Sequence, residues 1–204
     1  MIMDQDFIYS RINFNPRITI EEVYGGAGRS GKVWLALARQ IYCESGPGDY
    51  RDIGHFASGA PFLFGMPEKI SITHTDHFLA VASMKVGDEC NLSQFDPETM
   101  IGIDAERFDR DKARKLRERF LSDEELKIVD PDSVEANVTA WTAKEAMLKA
   151  SLTPGINWHH DLIIRRLPSE GMPGEGMMRI EGKEYPVKLS TYRSGDFIVT
   201  LAHS

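Results

Sequence analysis

The sequence lacks several features that define large classes of proteins. It holds two cysteines among 204 residues, too few for a disulfide framework or a zinc cluster. No apolar run approaches the ~20 residues of a membrane-spanning helix, so we expect no membrane segment. The first residues, MIMDQDFIYSR, carry acids where a secretory signal carries lysine or arginine, and they contain no apolar core segment. We therefore expect a cytoplasmic protein with reduced cysteines.

A surplus of positive charge is also missing. The formal net charge is -7, which argues against nucleic-acid binding because that function favours a basic surface. The hydrophobic fraction of 42% and the charged fraction of 27% are those of an ordinary globular protein. The length suits one large domain or two smaller halves.

Two carboxylates on one short strand are the first feature with chemical meaning. Residues 100–106, MIGIDAE, predict a strand, on which alternate side chains share a face. Asp104 and Glu106 therefore point the same way and repel each other. A bound cation relieves such repulsion, and Mg2+ is the simplest choice for paired carboxylates. The sequence thus predicts a magnesium site on this strand.

A helix with two lysines follows at residues 140–150. The segment has no glycine or proline and is rich in strong helix formers. At about 100° per residue, Lys144, Glu145 and Lys149 fall on one face beside the ring of Trp141. Such a face suits a polyphosphate, with Glu145 as a base that activates a nucleophile. Trp141 is expected to anchor the helix by packing.

Two further features precede this helix. Ser122 and Glu125 have the spacing of a capping box, in which each side chain bonds the other residue's backbone N–H. Residues 110–119 hold six basic and two acidic residues. This basic segment is either a solvated helix face or a docking surface for an acidic partner.

The segment Gly26–Lys32 fits the phosphate-loop pattern G-x-x-x-x-G-K between a predicted strand at 17–24 and a predicted helix. Val33 stands where magnesium binding needs a hydroxyl, so we favour a glycine-rich turn over a nucleotide site. In a third interpretation, Arg29 or Lys32 contacts a phosphate of a ligand bound elsewhere.

A strand, turn and strand are predicted over residues 69–83, KISITHTDHFLAVAS. The turn places the imidazole of His74 between the hydroxyls of Thr73 and Thr75. These three side chains form a suitable donor set for phosphate oxygens.

Three motifs in order resemble the signature of the 4'-phosphopantetheinyl transferase superfamily. They are Gly-Ile-Asp-x-Glu at 102–106, Phe-Leu-Ser-x-x-Glu at 120–125 and Trp-x-x-Lys-Glu-x-x-x-Lys at 141–149. The resemblance implies an enzyme that transfers the 4'-phosphopantetheine group of coenzyme A to a serine of an apo carrier protein. It implies Mg2+ as cofactor, coenzyme A as co-substrate and release of adenosine 3',5'-bisphosphate.

The resemblance also implies roles for particular residues. The metal would be held by Asp104, Glu106 and Glu125. Catalysis would involve Glu145, Lys149, Lys144 and His74. Coenzyme A would be bound by His74, Thr73, Thr75, Lys144, Lys149 and Arg29. The basic segment would dock an acidic acyl or peptidyl carrier protein.

One position departs from the family pattern. Residues 59–63, GAPFL, are similar to the family's Gly-Lys-Pro-x-Leu, whose lysine helps hold the nucleotide end of coenzyme A. Ala60 replaces that lysine. Arg29, Lys32 or Arg51 could compensate, and we include Arg29 among the expected ligands.

The length of the chain is similar to that of the larger, surfactin-synthetase-activating type of the family. Residues 186–204 repeat the strand, turn and strand of residues 69–83. The expected fold is therefore α+β, with two similar α+β halves, 1–100 and 101–204, related by a pseudo-two-fold in a monomer. The first half would hold the coenzyme A nucleotide side, and the second the metal site and the catalytic helix.

Two alternatives remain. The chain could be a non-catalytic module that binds carrier protein or coenzyme A, or a phosphate-loop protein that uses Gly26–Lys32. Coenzyme A affinity that depends on His74 favours the transferase, whereas ATP or GTP affinity that depends on Lys32 favours the phosphate loop.

Overall fold

The computed structural model describes residues 8–25, 53–75, 77–87 and 89–204. The chain divides into two compact units, Met1–Gln94 and Phe95–Ser204.

The described part of the first unit is one antiparallel sheet. Its strand order is β1-β2-β6-β5-β4-β3, and all neighbours pair antiparallel. The strands are β1 (Ile8–Asn13), β2 (Ile18–Tyr24), β3 (Ile53–His55), β4 (Pro61–Leu63), β5 (Glu68–His74) and β6 (Phe78–Lys85).

Alternation along these strands explains the core of the first unit. Alternate residues of a strand share a face, and one face of the sheet gathers buried aliphatic side chains: Val23, Ile53, Leu63, Ile70, Leu79 and Val81. The predicted strand at 17–24 and the predicted hairpin at 69–83 are both confirmed by β2 and by the β5–β6 pair.

The second unit combines a five-stranded antiparallel sheet with helices. The sheet order is β7-β11-β10-β9-β8. The strands are β7 (Ile101–Arg107), β8 (Leu162–Arg166), β9 (Gly174–Ile180), β10 (Lys183–Ser194) and β11 (Phe197–His203); the helices are α1 (Asp111–Lys115), α2 (Glu125–Ile128) and α3 (Val134–Ser151), with a 3-10 turn at Arg117–Arg119.

Helix α3 packs directly on β7 and β11. Its buried side is lined by alanines, among them Ala143 and Ala146, which allow the helix to approach the sheet closely. The approach is closest at Gly102, where a Cβ atom would lie 2.0 Å from the carbonyl oxygen of Ala146. Only glycine fits at this position, so the glycine of the Gly-Ile-Asp-x-Glu motif has a packing reason.

The strand at 100–106 and the helix at 140–150 are confirmed, but α3 is longer than predicted. It begins at Val134 and is capped by Ser133, whose hydroxyl accepts a hydrogen bond from Ala136 N at 3.1 Å. This serine N-cap satisfies a backbone donor that the first turn leaves open. The sequence pattern predicts the helix only from Ala140, because residues 134–139 are poorer helix formers.

The two antiparallel sheets with helices agree with an α+β fold. The pseudo-two-fold relation between halves stays a prediction. None of the helices in the described parts of the chain has the length and apolar character to cross a membrane.

Candidate active site

Asp104 and Glu106 lie on the face of β7 that α3 covers. Gly102 meets the backbone of α3, and alternation places residues 104 and 106 on the same face as residue 102. Both carboxylate residues are largely buried, with exposed fractions of 9% for Asp104 and 8% for Glu106. The predicted pair of carboxylates therefore exists, enclosed between strand and helix.

Lys149 joins α3 to the Asp104 carboxylate. Its Nζ donates to Asp104 Oδ1 at 2.8 Å and to the carbonyl oxygen of Ile103 at 2.8 Å. Its side chain keeps 30% of its surface exposed, so the ammonium group is also within reach of solvent.

Glu145 lies one turn before Lys149 on α3, and its surroundings favour a bound proton. Burial raises the pKa of Glu145, and the nearby Asp104 carboxylate raises it further, whereas Lys149 lowers it. A carboxyl group with a raised pKa is a better proton acceptor at neutral pH than an ordinary glutamate. Asp104, Glu145 and Lys149 thus form one interacting cluster.

Glu106 has a different cation as its partner. It forms an ion pair with Arg110, and Glu106 Oε1 accepts a hydrogen bond from Arg107 N at 3.0 Å. Arg110, the first residue of the basic segment, is therefore engaged with the carboxylate pair.

Glu125 and Lys144 form a separate ion pair inside the second unit, and both side chains are fully buried. Lys144 Nζ lies 2.6 Å from Glu125 Oε1 and 2.7 Å from Oε2, and it also donates to the carbonyl oxygens of Trp158, at 2.8 Å, and Leu162. Burial lowers the pKa of Lys144, an effect that Glu125 opposes.

The Glu125 carboxylate also completes the predicted capping box. Its Oε2 accepts from Ser122 N and from Ser122 Oγ, each at 2.8 Å, while Glu125 N donates to Ser122 Oγ at 3.4 Å. Its Oε1 accepts from Ile164 N at 2.6 Å. Both carboxylate oxygens are therefore occupied by protein donors.

Two of the predicted site residues lie apart from the Asp104–Glu145–Lys149 cluster. The Glu125 carboxylate is held by Lys144 and Ser122 in the core, and in the described parts of the chain no group of three or more His, Cys, Asp or Glu residues is arranged to hold a metal ion. The assignment of Glu125 as a metal ligand stays a prediction. Lys144 does not share a phosphate-binding face with Lys149, because its Nζ donates inside the core. The two lysines lie at opposite edges of the predicted helix face. The segment around Trp158 and strand β8 cover Lys144 and leave Lys149 partly exposed.

Trp141 is a packing residue, as predicted. Its ring lies edge-on to Phe120 with centroids 5.1 Å apart, and 5.4 Å from the ring of Trp158. The three rings hold α3 against the segments before and after it.

A family model for the 4'-phosphopantetheinyl transferase superfamily matches residues 100–202. The chain belongs to this superfamily. The matched range contains β7, α3 and all of β11 but its last residue. It therefore includes the whole Asp104–Glu145–Lys149 cluster. No curated protein matches the chain.

The transferase superfamily implies a magnesium ion, and the carboxylates of β7 fit one. Asp104 and Glu106 present oxygen donors on one face, and Mg2+ commonly uses one or two protein carboxylates together with substrate phosphates and water. The Glu125 carboxylate fits less well, because both of its oxygens already accept hydrogen bonds from protein donors in the core. Asp104 and Glu106 are therefore the two carboxylates that would hold the ion.

Of the residues predicted to bind coenzyme A, His74, Thr73, Thr75 and Arg29 belong to the first unit. His74 ends β5 with an exposed side chain, whereas Thr73 is buried. Strand alternation points these two side chains to opposite faces, so they do not form one donor set. Thr75 begins the turn, and its N–H donates to the carbonyl oxygen of Phe78 at 2.8 Å. Arg29 and the Gly26–Lys32 segment lie outside the described residues.

Sequence reasoning missed two buried threonines beside the cluster. Thr142 lies three residues before Glu145, and Thr200 pairs with Asp104 across the β7–β11 ladder. The helical spacing of Thr142 was a usable signal. Nothing in the local sequence connects Thr200 to Asp104.

Proposed function

We propose that this protein transfers the 4'-phosphopantetheine group of coenzyme A to a serine hydroxyl of an apo carrier protein. Membership of the transferase superfamily suggests this transfer. The observation that carries the proposal is the cluster of Asp104, Glu145 and Lys149. It combines a carboxylate suited to a metal, a carboxyl group of raised pKa and an ammonium group beside them.

The reaction forms one bond and breaks one. The serine oxygen bonds to the β-phosphorus of coenzyme A, and the bond from that phosphorus to the bridging oxygen breaks. The bridging oxygen leaves with adenosine 3',5'-bisphosphate. Glu145 accepts the serine proton, a role that a raised pKa favours.

Charge builds on the phosphoryl oxygens during this exchange. Asp104 and Glu106 would hold Mg2+, which when bound neutralises charge on phosphate oxygens. Lys149 supplies N–H donors from the helix side and fixes the orientation of Asp104. By family resemblance, the exposed His74 contacts coenzyme A, with Thr75 and Arg29 as further ligands.

The carrier protein would dock on the exposed part of the basic segment. Arg110 is paired with Glu106, and Arg117 donates to the carbonyl oxygens of Leu126 and Val129. Lys112 and Arg119 are exposed. Clustered positive charge speeds the encounter with an acidic partner, so these two side chains are the ones we assign to docking.

Intact-mass measurement of an apo carrier protein tests the proposed function. After incubation with this protein, coenzyme A and Mg2+, the carrier should gain about 340 Da, the mass of the phosphopantetheinyl group. Asp104→Asn should abolish the gain, because it keeps the shape of the side chain but loses its charge.

Asp109→Asn is the matched control, since Asp109 is an exposed acid just after β7 that pairs with Arg107. It should leave the mass gain unchanged. Coenzyme A binding without any gain on several carriers would instead favour a non-catalytic binding module. Absence of coenzyme A binding would overturn the proposal.

A further inference from the structure

Two threonine hydroxyls meet in the core beside the Asp104–Glu145–Lys149 cluster. Thr142 on α3 and Thr200 on β11 are fully buried, and their Oγ1 atoms lie 2.7 Å apart. The bond joins residues 58 positions apart in the sequence. It therefore ties the helix to the sheet, not one part of the helix to another.

The direction of this bond follows from counting protons. Each hydroxyl has one proton to donate. Thr142 Oγ1 donates to the carbonyl oxygen of Thr139 at 3.1 Å, and Thr191 Oγ1 donates to that of Val199 at 3.0 Å. Thr200, which lies 3.3 Å from Thr191 Oγ1, then gives its proton to the closer Thr142. Each of the three hydroxyls therefore has a hydrogen-bond partner, and those of Thr142 and Thr200 are buried away from water.

The bond is placed where it controls the cluster. Thr200 is opposite Asp104 in the antiparallel pairing, and directly opposed residues share a face with Cβ atoms about 5 Å apart. Thr142 is three residues before Glu145, on the same side of α3. The bond thus connects the element that carries Glu145 to the immediate neighbour of Asp104.

Where α3 crosses β7, the contact is made by small residues, among them Ala146, Ala150 and Gly102. The larger side chains Val138 and Met147 of α3 pack in other parts of the core. Large side chains normally set the angle and register of a packed helix by interlocking as ridges and grooves, and these small residues offer little to interlock. A short hydrogen bond depends on both distance and angle, so it supplies the missing restraint.

A second tie lies about two helical turns further along. There, Lys149 Nζ bonds to Ile103 O and Asp104 Oδ1. Lys144 also ties α3 to the sheet, through the Leu162 carbonyl oxygen on β8, so the threonine bond acts together with these ties to keep α3 from rotating or sliding on β7 and β11. Glu145 lies between the threonine bond and Lys149.

We infer that Thr142 and Thr200 are positioning residues that hold Glu145 and Lys149 against Asp104. They touch neither substrate nor reacting atoms and act through the placement of α3. The inference rests on the proposed transfer reaction.

The test uses the full chain with Thr142→Val, Thr200→Val and the double variant. Valine keeps the shape of threonine and removes the hydroxyl. We expect kcat for phosphopantetheine transfer to fall 10- to 100-fold, since displacement by about 1 Å costs as much. The KM for coenzyme A should change less than about threefold, because the bond acts on the reacting geometry.

Two variants distinguish positioning from general core packing. Thr142→Ser keeps the hydroxyl and should restore kcat to within about threefold of the wild type. Thr191→Val removes the third threonine hydroxyl but keeps the bond between Thr142 and Thr200. Its kcat should therefore stay within about twofold of the wild-type value.

The outcomes separate this inference from the proposed function. A wild-type protein that modifies no carrier defeats the proposed function. A wild-type protein that is active, with a double valine variant of unchanged kcat, defeats the positioning role alone. If the valine variants lose activity only in proportion to the fraction unfolded, measured by circular dichroism at the assay temperature, the bond serves folding and the inference is overturned.

Discussion

Lys144 and Lys149 are both lysines of α3, yet they lie in different environments. Lys144 is fully buried with Glu125, whereas Lys149 is partly exposed beside Asp104. A buried ion pair adds little net stability, but the loss of one partner leaves an uncompensated charge in the core. The first lysine should therefore affect folding and the second activity.

Lys144→Met should destabilise the protein by about 3–5 kcal/mol, because Glu125 stays buried without its cation. Urea unfolding followed by circular dichroism measures the loss. Lys149→Met is the matched comparison and should cost less than about 1 kcal/mol, as expected for a partly exposed pair, while it abolishes transfer. If Lys144→Met unfolds at the wild-type urea concentration but loses its affinity for coenzyme A, Lys144 binds phosphate after all.

At the scale of the elements, the site depends on how closely α3 approaches β7. The carbonyl oxygen of Ala146 occupies the space where residue 102 would carry a side chain. This contact sets the distance from the helix, which carries Glu145 and Lys149, to the strand with Asp104. The glycine of the motif therefore acts on the site through packing.

Gly102→Ala should destabilise the protein by roughly 1–3 kcal/mol, because a backbone oxygen cannot yield to the added methyl group without a shift of the helix. Transfer activity should fall as well, since the same shift moves Glu145. Gly87→Ala is the control: Gly87 is exposed and its Cβ would meet nothing within 4 Å. Equal unfolding midpoints for the two variants would show that the close contact is unimportant.

At the scale of the whole molecule, stability should depend on pH through His203. Burial lowers the pKa of His203; the carbonyl of Ser204 opposes this, and Lys188 adds to it. As the pH falls, the imidazole therefore takes up a proton in the unfolded chain first, while in the folded protein it is still neutral. Stability is fully present above the unfolded pKa of about 6.5 and is lost as pH falls through the folded value.

His203→Gln removes this titration. The wild type should lose more unfolding free energy than His203→Gln between pH 8 and pH 5, measured by urea unfolding at each pH. His160→Gln is the control, because His160 is an exposed histidine in the same unit. If stability depends on pH in the same way in His203→Gln and in the wild type, other groups cause the acid sensitivity.

The surface charge of the whole molecule bears on its partner. Lys112→Ala together with Arg119→Ala should raise the KM for an acidic carrier and make that KM less sensitive to salt, because screened attraction is lost. The kcat should hold within about twofold, since neither residue reaches the cluster. Lys183→Ala, an exposed lysine on β10, should leave both constants unchanged. Equal salt dependence in all three proteins would argue against docking at this segment.

Local pattern determined a large part of this protein. The strand with Asp104 and Glu106 followed from alternation, and the helix with Glu145 and Lys149 from the absence of breakers. The capping box of Ser122 and Glu125 followed from spacing. These features are predictable because neighbours in the chain decide them.

Tertiary structure decided what each of these elements meets. Helical geometry placed Lys144 and Lys149 on one broad face, but β8 and the segment around Trp158 cover only Lys144. Thr200 comes opposite Asp104 only when β11 pairs with β7. Sequence spacing gives the direction of a side chain relative to its own element, while burial and partners depend on distant segments that pack against it. For that reason the sequence determined which elements carry the candidate site, and only the fold decided which of the predicted side chains lie together in it.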